Sequence, residues 1–243
     1  MNRIIIFLLL FFVVISDCKD NRSVTDKMLS GSRSTSEKKE MALMDILKNN
    51  TFILAIHQPS ERNNVELIGT VFSVSPHYFI SVLHNLKKWD EKLQLMALNT
   101  NTGENILLTV VDKQSERDLV VFKGNNSRKV FINIEKDSTQ KGDKIFIYGY
   151  PKEKLQSVND YKGTFLEASL KKIGILSEIK SLGSIIIFDA ILLGNHSGSP
   201  IVNEKGNLVG VSKAEIVDVK EYENHSLGIY LAPNDSFIAK YIY

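Results

Sequence analysis

Cysteine is nearly absent from this chain. A single Cys18 among 243 residues excludes an intramolecular disulfide, so any folded domain must rest on its own apolar core. Excess charge is lacking too. Thirty Lys and Arg face 28 Asp and Glu, a net of +2, which gives no field suited to nucleic acid or to a strongly acidic partner. Tryptophan occurs once, at Trp89, and leaves no aromatic platform for stacked bases. No glycine-rich phosphate loop, no strand–helix–strand rhythm and no repeat of 20–50 residues is present. His57, His77 and His225 stand alone, without a His-Glu-x-x-His pair or a Cys/His cluster, so neither a metal nor another cofactor is expected. At 43% hydrophobic and 24% charged residues, the composition is that of a folded protein, not of a disordered or collagen-like chain.

The N-terminus reads as an address. Arg3 precedes an unbroken apolar run from Ile4 to Ile15. That run is short of the roughly 20 residues a membrane-spanning helix needs, and it fits a secretory signal over residues 1–18. Ile15-Ser16-Asp17-Cys18 resembles the lipobox of bacterial lipoproteins, with an acidic residue next to the cysteine as a departure. Cys18 is therefore the lipidation candidate. The expected location is outside the cytoplasm, secreted or anchored at a bacterial cell envelope. Residues 19–40, rich in Ser, Lys, Asp and Glu, have linker composition. Residues 41–49 carry apolar positions at helical spacing and predict a short packing helix.

From Thr51 onward the texture is β. Short β-branched or aromatic runs such as TFILAI, GTVFSV, DLVVF, KIFIYGY and GSIIIFDA alternate with Gly, Pro, Asn and Asp. Many short strands at close spacing predict an all-β barrel or sandwich.

Three residues carry candidate chemistry. Ser197 lies in the Gly- and Asn-containing loop LGNHSGSPIV. A tight loop projects a nucleophilic hydroxyl while backbone N–H groups converge to hold an oxyanion. His84 ends the apolar run YFISVLHNL and is a candidate base. Asp118 opens the apolar run DLVVF. A carboxylate entering a buried strand needs a partner, and orienting a histidine would supply one.

With these residues in place the chain resembles a chymotrypsin-fold serine peptidase, nearest the bacterial Deg-type and glutamyl endopeptidase domains and without a PDZ domain. Blocks matching in order are GTVFSVSPHYFISVLHNL, DLVVFK, KGDKIFIYGYP, DAILLGNHSGSPIVNEKGNLVGV and LGIYLAPND. The resemblance implies an all-β fold of two six-stranded antiparallel barrels with the site in the cleft between them, plus short N- and C-terminal helices. The domain would cover 41–243, with one barrel over about 51–130 and the other over about 131–235. It implies a serine endopeptidase acting on proteins or peptides, with Ser197 as nucleophile, His84 as general base and then acid, and Asp118 as its orienter. The backbone N–H groups of Asn195 and Ser197 would form the oxyanion hole. Ile191, Val211, Ser212, Lys213 and Glu215 would shape the specificity pocket. No histidine lies in the strand around Val211, so the preference for a substrate glutamate found in glutamyl endopeptidases is not expected.

The chain departs from the family pattern next to the chemistry. Asn195 stands where the family has Gly, His196 where Asp or Asn is usual, and Leu83 where a small residue precedes the base. Asn is the non-glycine residue that best tolerates a left-handed backbone. The departures also motivate a second reading, a catalytically inactive protease fold serving as a surface binding or adhesion module. A third is an unrelated β-sandwich in which the Ser197 loop is a structural turn.

Overall fold

The computed structural model describes residues 34–58, 65–151, 162–175, 183–216, 220–233 and 235–242. The N-terminal run expected to be a secretory signal, with Cys18, lies outside the described residues. The architecture is all-β, as expected, and consists of two closed barrels.

The first barrel contains β1 (Thr51–His57), β2 (Val65–Ser73), β3 (Tyr78–Val82), β4 (Gln94–Asn99), β5 (Glu104–Gln114) and β6 (Leu119–Gly124). Its order is β1-β2-β3-β6-β5-β4, closed by the β1–β4 pairing. The second contains β7 (Lys144–Gly149), β8 (Thr164–Gly174), β9 (Ile185–Phe188), β10 (Pro200–Asn203), β11 (Leu208–Glu215) and β12 (Ser226–Tyr230). Its order is β10-β11-β12-β9-β8-β7, closed by the β10–β7 pairing. This is the two-barrel arrangement, and not the sandwich that strand texture alone left open.

The uninterrupted apolar runs follow from where the strands lie. Successive side chains on a strand point to opposite faces. On β1, Phe52 and Leu54 fill the first barrel together with Phe79, Ile106 and Phe122. Ile53 and Ala55, on the other face, enter a core shared between the barrels. That shared core takes Phe72, Ile80 and Val121 from one side and Phe146, Tyr148, Val211 and Ile229 from the other. β1 is thus buried on both faces and cannot alternate in polarity. β5 is covered on one face only: Ile106 and Leu108 point inward, while Leu107 and Val111 are exposed although apolar. A third core of Ile147, Ile186, Phe188 and Ile201 fills the second barrel.

A helix, α1 (Thr35–Asn50), precedes β1. It begins at Thr35, inside the stretch whose composition predicts a linker. The local cause is a capping box. Glu37 N–H donates to Ser34 Oγ at 3.2 Å and Ser34 N–H donates to Glu37 Oε2 at 2.9 Å. Further along, Leu43 and Leu47 are buried in the shared core. At the end of α1, Asn50 Nδ2 donates to the Ile46 carbonyl, and Asn50 Oδ1 accepts from Ser73 Oγ. The expected C-terminal helix reduces to a single 3₁₀ turn, Ala239–Tyr241, just after the buried Phe237 and Ile238.

Candidate active site

The pairing of β3 with β6 sets His84 beside Asp118. Val82 on β3 lies opposite Leu119 on β6. The chain then continues past Val82 into a 3₁₀ turn (Leu83–Lys88) and reaches Leu119 from another (Ser115–Arg117). Asp118 closes the second turn in the left-handed conformation, φ +60°. Three hydrogen bonds then join the segments. Leu83 N–H donates to the Asp118 carbonyl at 2.8 Å, and His84 N–H donates to Asp118 Oδ1 at 2.8 Å. The His84 ring donates from Nδ1 to Asp118 Oδ2 at 2.7 Å. That bond fixes the neutral tautomer, leaving Nε2 with a free lone pair. Leu83, in place of a small residue, packs against the first barrel's core.

Burial disfavours the Asp118 anion. Hydrogen bonds from His84 and Lys213, aided by their positive charge, more than offset this and hold the carboxyl down at about 2.

Ser197 comes from the second barrel, in the loop that leads into β10. Three successive carbonyls of the loop, those of Asn195, His196 and Ser197, are held by hydrogen bonds. Asn195 C=O accepts from Thr70 Oγ1 at 2.8 Å. His196 C=O accepts from Ser212 Oγ at 2.6 Å and from Ser199 N–H at 2.9 Å. Ser197 C=O accepts from Thr70 N–H at 3.0 Å and Asn85 Nδ2 at 2.9 Å. Among the described residues nothing accepts from the N–H of Asn195 or of Ser197. The chain therefore presents two unused donors flanking His196, the pattern required to hold an oxyanion.

Backbone conformation makes this possible. Asn195 has φ +69°, the left-handed state that a glycine would ordinarily supply. Gly198 has φ +90°, and a Cβ there would fall 2.1 Å from the Thr70 carbonyl oxygen. Thr70 on β2, Ser81 on β3 and Asn85 thus form a brace against the Ser197 loop, with Ser81 Oγ donating to Thr70 C=O at 2.6 Å. Sequence reasoning missed this brace. Its members lie inside one quoted block, but their common partner is far along the chain.

His196 is wholly buried. Its Nδ1 accepts from Leu193 N–H at 3.0 Å, while His196 N–H donates to the Leu193 carbonyl at 3.1 Å. Burial pushes the imidazole down to about 4, so it is uncharged near neutrality. It shapes the loop from behind. Gly149 lies against it, and a Cβ there would fall 2.0 Å from Ser199 Oγ and 2.9 Å from His196 Cδ2.

The residues expected at the specificity pocket lie in differing surroundings. Val211 is fully buried in the shared core. Ser212 is also fully buried, its hydroxyl engaged with His196 C=O and Ser199 N–H. Lys213 does not point at a substrate side chain; its ammonium pairs with Asp118. Ile191 is 44% exposed, and nearby Leu193 is 54% exposed. The Glu215 side chain lies outside the described residues. A cleft of about 810 Å³ does open beside His84 and Asp118. Leu83, Leu86 and Trp89 line it together with charged residues from the same turn and from β5.

Residues 69–211 match the trypsin-like peptidase domain family. The chain belongs to that family. Solved structures share the fold of this peptidase-family domain at low identity. One is the Rv3671c protease of M. tuberculosis in its active form, at 15% identity and a TM-score of 0.64, with 82% of this chain and 83% of that chain covered. The HtrA-type protease AlgW with a decapeptide matches at 16% identity and a TM-score of 0.60, covering 77% of this chain and 62% of that one. An AlgW variant with a tripeptide matches at 16% identity and a TM-score of 0.66, covering 82% and 62%. The end of β2 from Gly69, strands β3 to β6 and the Ser197 loop fall inside the family match.

Proposed function

We propose that the domain is a serine endopeptidase working through Ser197, His84 and Asp118. The observation that supports this reading best is the Ser197 loop: the N–H groups of Asn195 and Ser197 are unused among the described residues, while the carbonyls of Asn195, His196 and Ser197 are bonded elsewhere. The His84–Asp118 pair with its free Nε2 supports it from the other barrel. In the first step the Ser197 Oγ–H proton passes to His84 Nε2 as Oγ bonds to the scissile carbonyl carbon. The resulting oxyanion rests on the N–H groups of Asn195 and Ser197. His84 then gives the proton to the leaving amine as the C–N bond breaks. Water repeats the sequence in reverse to free the acid and Ser197. The peptides bound in the AlgW structures support a peptide as the class of substrate. A fluorophosphonate probe should label the wild-type chain and leave Ser197→Ala unmodified; a wild type that resists labelling at every pH overturns the proposal.

One observation favours the second reading, an inactive binding module. The Ser197 hydroxyl donates to the Lys213 carbonyl oxygen at 2.7 Å, and no described group bonds His84 Nε2. Catalytic hydrogen bonds commonly tighten only with substrate bound. The same labelling experiment separates the two readings.

A further inference from the structure

We propose that Lys213 is a positioning residue that weakens the Asp118–His84 couple and so lets the site work at a lower pH than the same couple would without it. The inference rests on the assignment of His84 and Asp118 made above.

Its basis is a β-bulge. The β11–β12 register slips between Ser212 and Ala214, which leaves Lys213 as the extra residue. A bulged residue is freed from the ladder, and its groups can be re-aimed. Both ends of Lys213 are turned into the site. Its ammonium reaches Asp118 Oδ2, the same oxygen that accepts the His84 Nδ1 proton. Its carbonyl holds the Ser197 hydroxyl. The ammonium side chain is 18% exposed and the carboxylate 12%, so solvent screens this pair weakly.

The chemistry follows from one carboxylate serving two cations. In the proposed reaction His84 becomes an imidazolium, and Asp118 stabilises it. A permanent ammonium on the same oxygen cancels much of that stabilisation. The imidazole then stays unprotonated to a lower pH but is a weaker base at its plateau. Other charges near His84 are poorly placed to do this. Lys87, Lys92 and Lys113, with Asp90 and Glu91, line the cleft beside it, but they are exposed and mixed in sign. Glu116, on the turn before Asp118, is likewise exposed. Arg117 on that turn is committed to Asp235 at 2.7 Å. His196, behind Ser197, is buried and uncharged.

The test compares the full chain with Lys213→Met, Lys213→Gln and Lys213→Arg. The fluorophosphonate labelling rate is followed from acid to alkaline pH, and the His84 ring resonance is titrated by NMR in parallel. In the Met and Gln variants the acid limb of the labelling profile should move to higher pH by about one unit, with a several-fold faster plateau. Lys213→Arg should restore the wild-type limb. An acid limb that stays in place in both uncharged variants overturns the inference, as does a shift that Arg fails to reverse. If the wild type is never labelled, the peptidase reading fails, and the NMR titration still decides the coupling. A His84 midpoint that rises in the uncharged variants upholds it, and an unchanged midpoint overturns it.

Discussion

At the scale of single residues, His196 carries the sharpest consequence. Its imidazole has an ordinary value near 6.5 and is pushed down to about 4 by burial, so the unfolded chain binds a proton more readily than the folded one. Stability is therefore undiminished above about pH 6.5, declines as the pH falls towards 4, and is flat below that, with about 3 kcal/mol lost across the window. Protonation would also turn Nδ1 into a donor against the Leu193 N–H that it now accepts. Asp118, held at about 2, is lost only below its ordinary value of 3.8 and does not overlap this window. Urea midpoints measured between pH 7 and 4 should show the decline in the wild type and a much shallower one in His196→Asn; equal slopes would rule this out. Of the site residues, Ser197, His84 and Asp118 were legible as residue types in apolar-strand and tight-loop settings. The left-handed state of Asn195 was legible too, because few other side chains accept it. The role of Lys213 was not, since strand alternation predicts where a regular residue points and a bulge breaks that rule.

At the scale of elements, most of the twelve strands among the described residues were readable from short apolar runs, such as the one on β1 that is buried on both faces, while β4 (Gln94–Asn99) and β8 (Thr164–Gly174) were not singled out. The start of α1 was not read, because the polar composition before Met41 outweighed a local signal, the Ser34-x-x-Glu37 capping box. Composition reports what a segment can bury, while a cap reports where its backbone donors end. The lower part of α1 is no tether, since Leu47 is wholly buried in the shared core. Leu47→Ala should cost about 2–5 kcal/mol of unfolding free energy, through lost transfer energy and the cavity left behind. Urea denaturation reads this directly; a change within experimental scatter would mean that α1 is dispensable to the barrels. The pairing of β3 with β6 shows the limit of reading strands singly. Each was visible, but the adjacency of His84 and Asp118 depends on which strands become neighbours.

At the scale of the whole molecule, the two barrels meet through a shared apolar core and a seam of polar bonds. Thr70 reaches the Ser197 loop, Arg117 donates to the Tyr230 carbonyl at 2.9 Å, and Tyr241 OH donates to Asp112 at 2.6 Å. The seam holds without a disulfide, in keeping with a chain whose one cysteine is Cys18, ahead of both barrels. We propose that Cys18 serves as a lipid anchor at the cell envelope. Expressed in a bacterial host, the wild-type chain should take up labelled fatty acid and sediment with membranes, while Cys18→Ser should do neither. Acyl labelling that persists in Cys18→Ser would overturn the anchor. Closure of both barrels has a further consequence. An endopeptidase draws its substrate into the cleft as an extended strand. Here β1 is hydrogen-bonded on one side to β2 and on the other to β4, and every other strand is likewise flanked on both sides. With no free strand edge among the described residues, the barrels would offer the proposed peptidase no strand to draw in, and cleavage of one copy by another would fall on the loops.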